Sequence, residues 1–327
     1  MTRFPSCIRL ALVAACAWAG LAQAAGTVGN TLPPDFPVIV DASLGKPLIG
    51  FGAAGTLQHV PVVFVHGNND TPFPTACNPF GNMQTLAQSL ADNGYSPSEL
   101  WGLGYQGDQC DLLADQTIRS SSAHTSAANV PDLKAFVAAV LAYTGARQVD
   151  IVGHSLGVTV VREWLRQNPR SRLAVRRLVA IDGPNHGIIN CSPNPDNYWQ
   201  LPGNGGFTPA SAVCQELGSP LTPFLQQLNK HESRDQRSTL VIRNADTSFV
   251  YFPLQDGFIA PVPAEDAYGN PTDFSLSARL QGAQELSLSG QGVHDPVLGT
   301  GHLGILNSPD TWAATLQFLS ARRPAGE

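Results

Sequence analysis

A serine near the middle of the chain has a glycine two positions before it and another two positions after it, in the segment Gly153-His154-Ser155-Leu156-Gly157. Residues 149–152 are typical of a buried strand, and apolar side chains recur at helical spacing from residue 158 onward. A tight turn from strand to helix lifts a hydroxyl clear of the sheet, and small residues flank it because strand and helix pass close together. The spacing therefore predicts Ser155 as a nucleophile and the backbone N–H of Leu156 as an oxyanion donor.

A serine hydroxyl needs a neighbouring base, and the chain order nucleophile, acid, histidine restricts the search to histidines after Ser155. His186 follows the very next predicted strand, and His231 lies in a charged surface segment, so neither fits. His294 and His302 both lie between the last predicted strand and the last predicted helix. We favour His302, because flanking glycines leave its imidazole unobstructed, and we assign His294 to loop stability.

The acid is expected directly after the predicted strand 238–244, where its carboxylate would reach the imidazole and fix its tautomer. Asp246 lies two residues beyond that strand, and Asp256 lies ten residues further on, in an Asp-Gly turn followed by apolar residues. We favour Asp246 and keep Asp256 as the alternate acid. The second oxyanion donor is expected from the loop after the early strand 61–65, where we choose the backbone N–H of Asn68.

These residues require a scaffold in which strands and helices alternate. Strands are predicted at 61–65, 98–107, 149–152, 176–183, 238–244 and 284–290, and helices at 83–91, 132–143, 158–167 and 309–319. This order predicts a single α/β domain over residues 25–327, with a mostly parallel sheet covered by helices on both faces.

An interval at about residues 190–237 breaks the alternation and predicts an insertion, or cap, over the carboxyl edge of the sheet, where ligands of such folds bind. Its aromatic residues Tyr198, Trp199 and Phe207 leave two interpretations open. They line an acyl-binding or polymer-binding surface, or they are the ordinary packing of a loop held by a disulfide.

The N-terminus has the order of a secretory signal peptide. Arg3 and Arg9 precede an apolar run that closes with Ala-Gln-Ala, which predicts cleavage after Ala24 and a secreted or periplasmic protein. The run is shorter than the roughly 18 residues of a membrane span, so we expect no integral membrane contact. Loss of two arginines and no acids changes the net charge from −6 to −8, which argues against nucleic acid as a partner.

Four cysteines remain after removal of the signal peptide: Cys77, Cys110, Cys191 and Cys214. An even number in an exported chain predicts two disulfides with three possible pairings, of which proximity in sequence favours Cys77–Cys110 and Cys191–Cys214. No close Cys or His pair has the spacing of metal ligands, so neither a metal nor another cofactor is expected.

Three segments carry a family resemblance: VVFVHGN, YTGARQVDIVGHSLGV and GTGHLGIL. Together they resemble the class 2 lipases, secreted bacterial lipases and esterases, and the middle segment is also similar to secreted poly(3-hydroxybutyrate) depolymerases. The resemblance implies an α/β-hydrolase fold and a metal-independent Ser–His–Asp triad, with Ser155, His302 and the backbones of Asn68 and Leu156 in their family roles. The chain departs from the depolymerases at Gly153 and Leu156, and from the small lipases in its long insertion and longer acid region.

The sequence thus predicts a secreted serine hydrolase of carboxylic esters, a lipase or esterase whose partner is its ester substrate. An extracellular polyester depolymerase is the alternative, because it shares the chemistry and differs only in its binding surface. A non-catalytic binding protein on the same scaffold is disfavoured, because both Ser155 and His302 are present.

Overall fold

The computed structural model of the protein describes residues 26–79, 81–115, 121–188, 191, 207–232, 238–244, 264–289 and 301–321. The predicted signal peptide lies outside the described residues, as do both candidate acids, Asp246 and Asp256, and the alternative histidine, His294.

A seven-stranded sheet lies at the centre of the described residues, in the order β1-β3-β2-β4-β5-β6-β7. The strands are β1 (Ile49–Phe51), β2 (Val62–Val65), β3 (Leu100–Gly104), β4 (Val149–His154), β5 (Val175–Ile181), β6 (Thr239–Asn244) and β7 (Gln284–Leu288). Neighbouring strands are parallel, except for the antiparallel pair of β1 and β3. The six predicted strands are confirmed, and their parallel order brings the loops that follow them to one edge. The sequence pattern does not predict β1, because three residues are too few to show a period.

Alternate side chains of the central strands face two different apolar clusters. In β2, Val63 and Val65 belong to one cluster, and Val62 and Phe64 belong to the other. All four residues are buried, as expected for a parallel strand that is covered on both faces. Burial on both faces of the sheet therefore explains why this strand is a continuous apolar run in the sequence.

Helices cover both faces of the sheet. They are α1 (Met83–Ala91), α2 (Cys110–Ala114), α3 (Ser126–Thr144), α4 (Leu156–Gln167), α5 (Ala212–Leu217), α6 (Pro223–Asn229), α7 (Gly301–Gly304) and α8 (Pro309–Ser320). Helices α1 and α8 pack in the cluster on one face, and α3 and α4 pack in the cluster on the other. The arrangement is the predicted α/β architecture.

Helix α3 begins six residues before its predicted start. The Thr125 side chain accepts a hydrogen bond from the Ala128 N–H at 3.4 Å, which caps the first turn. The helix ends at Gly145, whose φ of 71° is the left-handed conformation common at helix C-termini. The first turns consist mainly of small or polar residues and contain Pro131. They conceal the start of this helix from a search for apolar spacing, whereas the glycine marks its end.

Both predicted disulfides are present, with Cα–Cα distances of 5.0 Å for Cys77–Cys110 and 5.5 Å for Cys191–Cys214. The second disulfide joins the start of the predicted insertion to α5. Phe207, from the same insertion, is buried in the cluster that contains α3 and α4, so its position supports the packing interpretation. Tyr198 and Trp199 lie outside the described residues.

Within the described ranges, no helix combines the length and the apolar character needed to cross a lipid bilayer. The same ranges contain no group of three or more His, Cys, Asp or Glu side chains that could hold a metal ion.

Candidate active site

Strained backbone is concentrated at the carboxyl edge of the sheet. Ser155, at the corner between β4 and α4, has φ 54° and ψ −128°. The other non-glycine residues with positive φ in the described part of the chain are Asn69, Gln109 and Asp182, which lie in the loops after β2, β3 and β5. Such conformations cost about 1–3 kcal/mol each and persist where function requires them. Four neighbouring loops therefore carry strain at the edge where a ligand of this fold class binds.

Both glycines of the serine segment are required for steric reasons. A Cβ atom at Gly157 would lie 2.4 Å from the Val65 carbonyl oxygen and 2.5 Å from that of His66, so α4 begins directly against the end of β2. A Cβ atom at Gly153 would lie 3.2 Å from the backbone nitrogen of Val158, which is tight but less severe. The turn that exposes Ser155 therefore requires small residues on both sides.

The loop after β2 lies against the candidate nucleophile. A Cβ atom at Gly67 would lie 2.9 Å from the Ser155 Cβ and 3.3 Å from its Oγ. Asn68 follows Gly67, and Leu156 is the first residue of α4, where a backbone N–H has no partner within the helix. Asn68 and Leu156, the two predicted oxyanion residues, are therefore next in sequence to Gly67 and Ser155, which lie against each other. Ser155 itself is partly exposed.

Hydrogen bonds from the next loop hold the backbone around Asn68. The Gln106 side chain accepts the Asn69 N–H at 2.7 Å and donates to the Asn68 Oδ1 at 3.3 Å. The His124 Nδ1–H donates to the same Asn68 oxygen at 3.0 Å. The Cys77–Cys110 disulfide also joins these two loops. We call residues 66–70 with Gln106 and His124 the oxyanion side of the site.

His66 has a packing role on the oxyanion side. Its fully buried ring stacks on Tyr105 with the centroids 4.2 Å apart, and the Tyr105 hydroxyl donates to the His66 carbonyl oxygen at 2.5 Å. The His66 Nδ1 lies 2.8 Å from the Gly67 carbonyl oxygen. These contacts support the loop from beneath.

His302, in α7, is anchored to the residue before the candidate nucleophile. The His154 Nε2–H donates to the His302 carbonyl oxygen at 2.8 Å, and the two rings have centroids 4.4 Å apart. Burial lowers the pKa of both His154 and His302 to about 3. Both imidazoles are therefore neutral near pH 7, and a neutral His302 is able to accept a proton.

Asp182 brings a carboxylate to His302. It follows β5 directly, is 2% exposed, and places its Oδ2 3.5 Å from the His302 Nδ1. Its Oδ1 accepts the Asn244 N–H at 2.8 Å, at the end of β6. Burial raises the pKa of Asp182 to about 7, against the opposing effects of the Asn244 hydrogen bond, His154 and Arg243. We call His154, Asp182 and His302 the base side of the site.

The histidines that we excluded have other surroundings. His186 pairs with Glu232, with 2.9 Å between the Nε2 and the Oε2, and its Nδ1 lies 3.0 Å from the Leu276 carbonyl oxygen. His231 is exposed, as expected.

Sequence reasoning missed four residues of the site: His154, Asp182, Gln106 and His124. For Asp182 a signal existed, since it directly follows a predicted strand, as Asp246 nearly does. His154 lies inside the serine segment itself. Nothing in the sequence pattern marks Gln106 or His124.

The comparisons with known proteins agree on a family and a fold. The sequence model of the family described as Lipase (class 2) matches residues 59–254, which is more than half of the chain. A search of the curated proteins gave no match.

Among solved structures, the mature form of the lipase BlEst2 from Bacillus licheniformis is 18% identical with a TM-score of 0.50, covering 83% of this chain and 98% of that chain. Lipase B from Aspergillus fumigatus is 17% identical with a TM-score of 0.47, covering 84% of this chain and 57% of that chain. The chain therefore spans little more than half of the fungal protein's length. The similarity to the Bacillus structure supports the α/β-hydrolase fold that the sequence resemblance implied.

Proposed function

The chain belongs to the family of class 2 lipases, which are carboxylic ester hydrolases, and we propose that it cleaves its esters through an acyl-enzyme formed on Ser155. His302 is the general base, and a carboxylate orients its imidazole. The observation that carries the proposal is the strained corner at Ser155, with Gly67 pressed against it and the His302 backbone held by His154.

The reaction follows from these positions. The Ser155 oxygen attacks the ester carbonyl carbon while its proton passes to His302. The backbone N–H groups of Leu156 and Asn68 stabilise the negative charge on the carbonyl oxygen. When the intermediate collapses, the C–O bond to the alcohol breaks and His302 returns the proton to the leaving oxygen. Water then attacks the acyl-enzyme with His302 again as base, which releases the carboxylic acid and restores Ser155.

The surroundings of His302 support its role as base. Because burial lowers its pKa to about 3, its imidazole is neutral at the pH at which most esterases are assayed. The imidazolium formed during the reaction needs a negative partner in this buried position. Sequence reasoning assigns that partner to Asp246, with Asp256 as the alternate, and both remain predictions.

We also propose that the protein acts outside the cytoplasm. The two disulfides, Cys77–Cys110 and Cys191–Cys214, support this location, since such bonds persist in oxidising compartments. Removal of residues 1–24 by a signal peptidase is the corresponding processing step, and the N-terminal sequence of the secreted protein tests it.

Steady-state hydrolysis of p-nitrophenyl esters from acetate to palmitate tests the proposed chemistry. We expect Ser155→Ala to lose at least about a thousandfold in kcat/KM, because the covalent route disappears. The exposed Ser275→Ala is the matched control and should retain wild-type activity. The chain length with the highest kcat/KM separates an esterase from a lipase.

Two results would contradict the proposal. Full activity in a folded Ser155→Ala variant would remove Ser155 as the nucleophile. A folded wild-type protein with no activity on any soluble ester would oppose the simple esterase, and the release of soluble acids from a poly(3-hydroxybutyrate) film would then favour the depolymerase.

A further inference from the structure

We infer that Glu216, in helix α5 of the predicted insertion, is a positioning residue that holds the oxyanion side in place for ester hydrolysis. The inference deepens the proposed function and rests on it, because an oxyanion forms only if Ser155 attacks the ester carbonyl. Glu216 does not touch the substrate in this scheme. It acts through the residues that link the start of α3 to Asn68.

The Glu216 carboxylate joins α5 to the start of α3. Glu216 is 8% exposed, and its Oε1 accepts the N–H of Ser126 at 2.7 Å. Ser126 is the first residue of α3, where a backbone N–H has no acceptor within the helix. A carboxylate at a helix N-terminus also interacts favourably with the helix dipole. This hydrogen bond therefore fixes where α3 begins relative to the insertion.

A braced segment connects Ser126 to Asn68. The Asn129 side chain donates to two carbonyl oxygens of residues 123–125, at 2.9 and 2.7 Å, which holds this segment against α3. His124, within the segment, is fully buried, and its Nδ1–H donates to the Asn68 Oδ1 at 3.0 Å. A shift of Ser126 is therefore transmitted to the Asn68 side chain.

The same serine also contacts the first turn of α4. The Thr159 hydroxyl donates to the Leu156 carbonyl oxygen at 2.9 Å, so the Ser126 hydroxyl is the donor in its 2.7 Å contact with the Thr159 hydroxyl. Ser126 is thus connected to Leu156 as well as to Asn68. Both proposed oxyanion residues therefore depend on the position of the start of α3.

Helix α5 is a fixed point of attachment. The Cys191–Cys214 disulfide holds it on one side. The Tyr268 hydroxyl donates to the Cys214 carbonyl oxygen at 2.9 Å, which attaches the helix to a further segment of the chain. The Glu216 carboxylate therefore extends from a helix whose own position is set by other contacts.

The hydrogen bond to Ser126 does not depend on the ionisation of Glu216. Burial raises the pKa of Glu216 to about 7, against the opposing effect of its hydrogen bonds with Ser126, and the nearby Glu163 on α4 also raises it. A carboxyl group keeps an acceptor oxygen whether or not it carries a proton. A neutral amide of the same length should therefore replace the carboxylate.

The test compares Glu216→Ala and Glu216→Gln with the wild type in the mature protein, with p-nitrophenyl butyrate as the substrate. We expect Glu216→Ala to lower kcat about tenfold or more per folded molecule and to change KM by less than about threefold, because the oxyanion forms only during the reaction. Glu216→Gln keeps an acceptor for the Ser126 N–H, so its kcat should stay within about threefold of the wild type.

Two results would overturn the inference. One is a wild-type kcat in folded Glu216→Ala, which is what a purely structural role predicts. The other is a loss of kcat as large in Glu216→Gln as in Glu216→Ala. If Glu216→Ala does not fold, Glu216→Asp takes its place, since it moves the acceptor by one methylene, and a wild-type kcat in this variant would then overturn the inference.

Tyr268→Phe is the matched control, because it removes a different hydrogen bond to the same helix. It should lower the melting temperature and leave kcat unchanged, since Tyr268 has no contact with the start of α3 among its hydrogen bonds. A loss of kcat equal to that in Glu216→Ala would mean that any loosening of α5 is sufficient, which would contradict a specific role for Glu216.

A double-mutant cycle with His124→Ala tests the route to Asn68. If Glu216 acts through His124, the loss of kcat in the double variant should fall short of the product of the two single losses by about threefold or more. Losses that multiply exactly would mean that the two residues act independently, and would overturn the inference.

The inference and the proposed function fail separately. If Ser155→Ala is inactive and Glu216→Ala has the wild-type kcat, only the role of Glu216 is wrong. If Ser155→Ala is active, the acyl-enzyme itself is excluded.

Discussion

The two sides of the active site are stabilised in different ways. On the oxyanion side, hydrogen bonds from Gln106 and His124 and a disulfide between neighbouring loops hold the backbone near Asn68. On the base side, His154, Asp182 and His302 are ionisable groups buried together, and burial shifts the pKa of each. Catalysis should therefore be sensitive to loss of a contact on the first side and to pH on the second, whereas the buried Asp70 of the oxyanion side should affect stability. Four substitutions test this difference, in order of decreasing effect.

The largest effect is expected at Gly157, because its close packing fixes where α4 begins relative to β2. Gly157→Ala places a methyl group 2.4 Å from the Val65 carbonyl oxygen, so α4 must move away from β2. We expect a loss of about 1–3 kcal/mol in the free energy of unfolding, together with at least about a hundredfold in kcat/KM. Urea denaturation and ester hydrolysis measure the two effects. Gly29→Ala, where a Cβ meets no atom within 4 Å, should change neither, and equal behaviour of the two variants would contradict the steric explanation.

His154→Ala tests the base side without changing a group of the proposed triad. It removes the hydrogen bond to the His302 carbonyl oxygen, so α7 loses its attachment to the end of β4. We expect kcat/KM to fall about a hundredfold, the usual cost of a misplaced catalytic group. The exposed His231→Ala is the control. An active His154→Ala would mean that other contacts alone hold His302 in place.

Gln106→Ala tests the oxyanion side. It removes the acceptor for the Asn69 N–H and a donor to the Asn68 side chain. We expect kcat to fall about tenfold to a hundredfold with a small change in KM, because the oxyanion forms only during the reaction. Gln226→Ala, on the exposed face of α6, provides the comparison. A rise in KM with unchanged kcat would indicate instead that Gln106 acts on substrate binding.

Asp70→Asn is expected to have the smallest effect, and its effect is on stability. Burial raises the pKa of Asp70 to about 7, above the ordinary value of 3.8, so folding disfavours the ionised carboxylate. The energetic penalty grows as the pH rises from about 4 to about 7 and is constant above that range. The variant keeps the acceptor for the Thr71 N–H and should be more stable than the wild type by about 1 kcal/mol or more at pH 8. Melting temperatures at pH 4 and pH 8 measure this gain, and an equal gain at both would contradict the assignment to charge burial.

The two sides also differ in how far the sequence predicts them. Gly153 and Gly157 bracket Ser155 because α4 begins close to β4 and directly against the end of β2. The two glycines are close together in the sequence, so a short pattern shows them. The strands of the parallel sheet are also visible locally, since β2 and the second half of β5 are continuous apolar segments. Asn68 lies three residues after the end of β2, in the loop that the early apolar strand predicts.

Residues that reach the site from distant parts of the sequence are harder to predict from the sequence. Gln106 and His124 act through contacts with a loop some 40 to 60 residues away in sequence, which no local pattern encodes. Asp182 lies 3.5 Å from the His302 ring through its Oδ2, a proximity between residues 120 positions apart that the sequence does not show. Which side chains surround His302 is a property of the three-dimensional fold, and Asp246 and Asp256 stay predictions.

The most direct test of the central claim is to identify the residue that becomes covalently modified. The mature protein is treated with a p-nitrophenyl dialkyl phosphate, which transfers its phosphoryl group to an activated serine and releases p-nitrophenol. Mass spectrometry of the tryptic peptide 148–162 then locates the group. We predict one dialkyl phosphate per molecule, on Ser155, with loss of esterase activity in proportion to labelling and no label in Ser155→Ala. Inactivation with the label on another residue, or full activity in a protein fully labelled at Ser155, would contradict the assignment of the nucleophile.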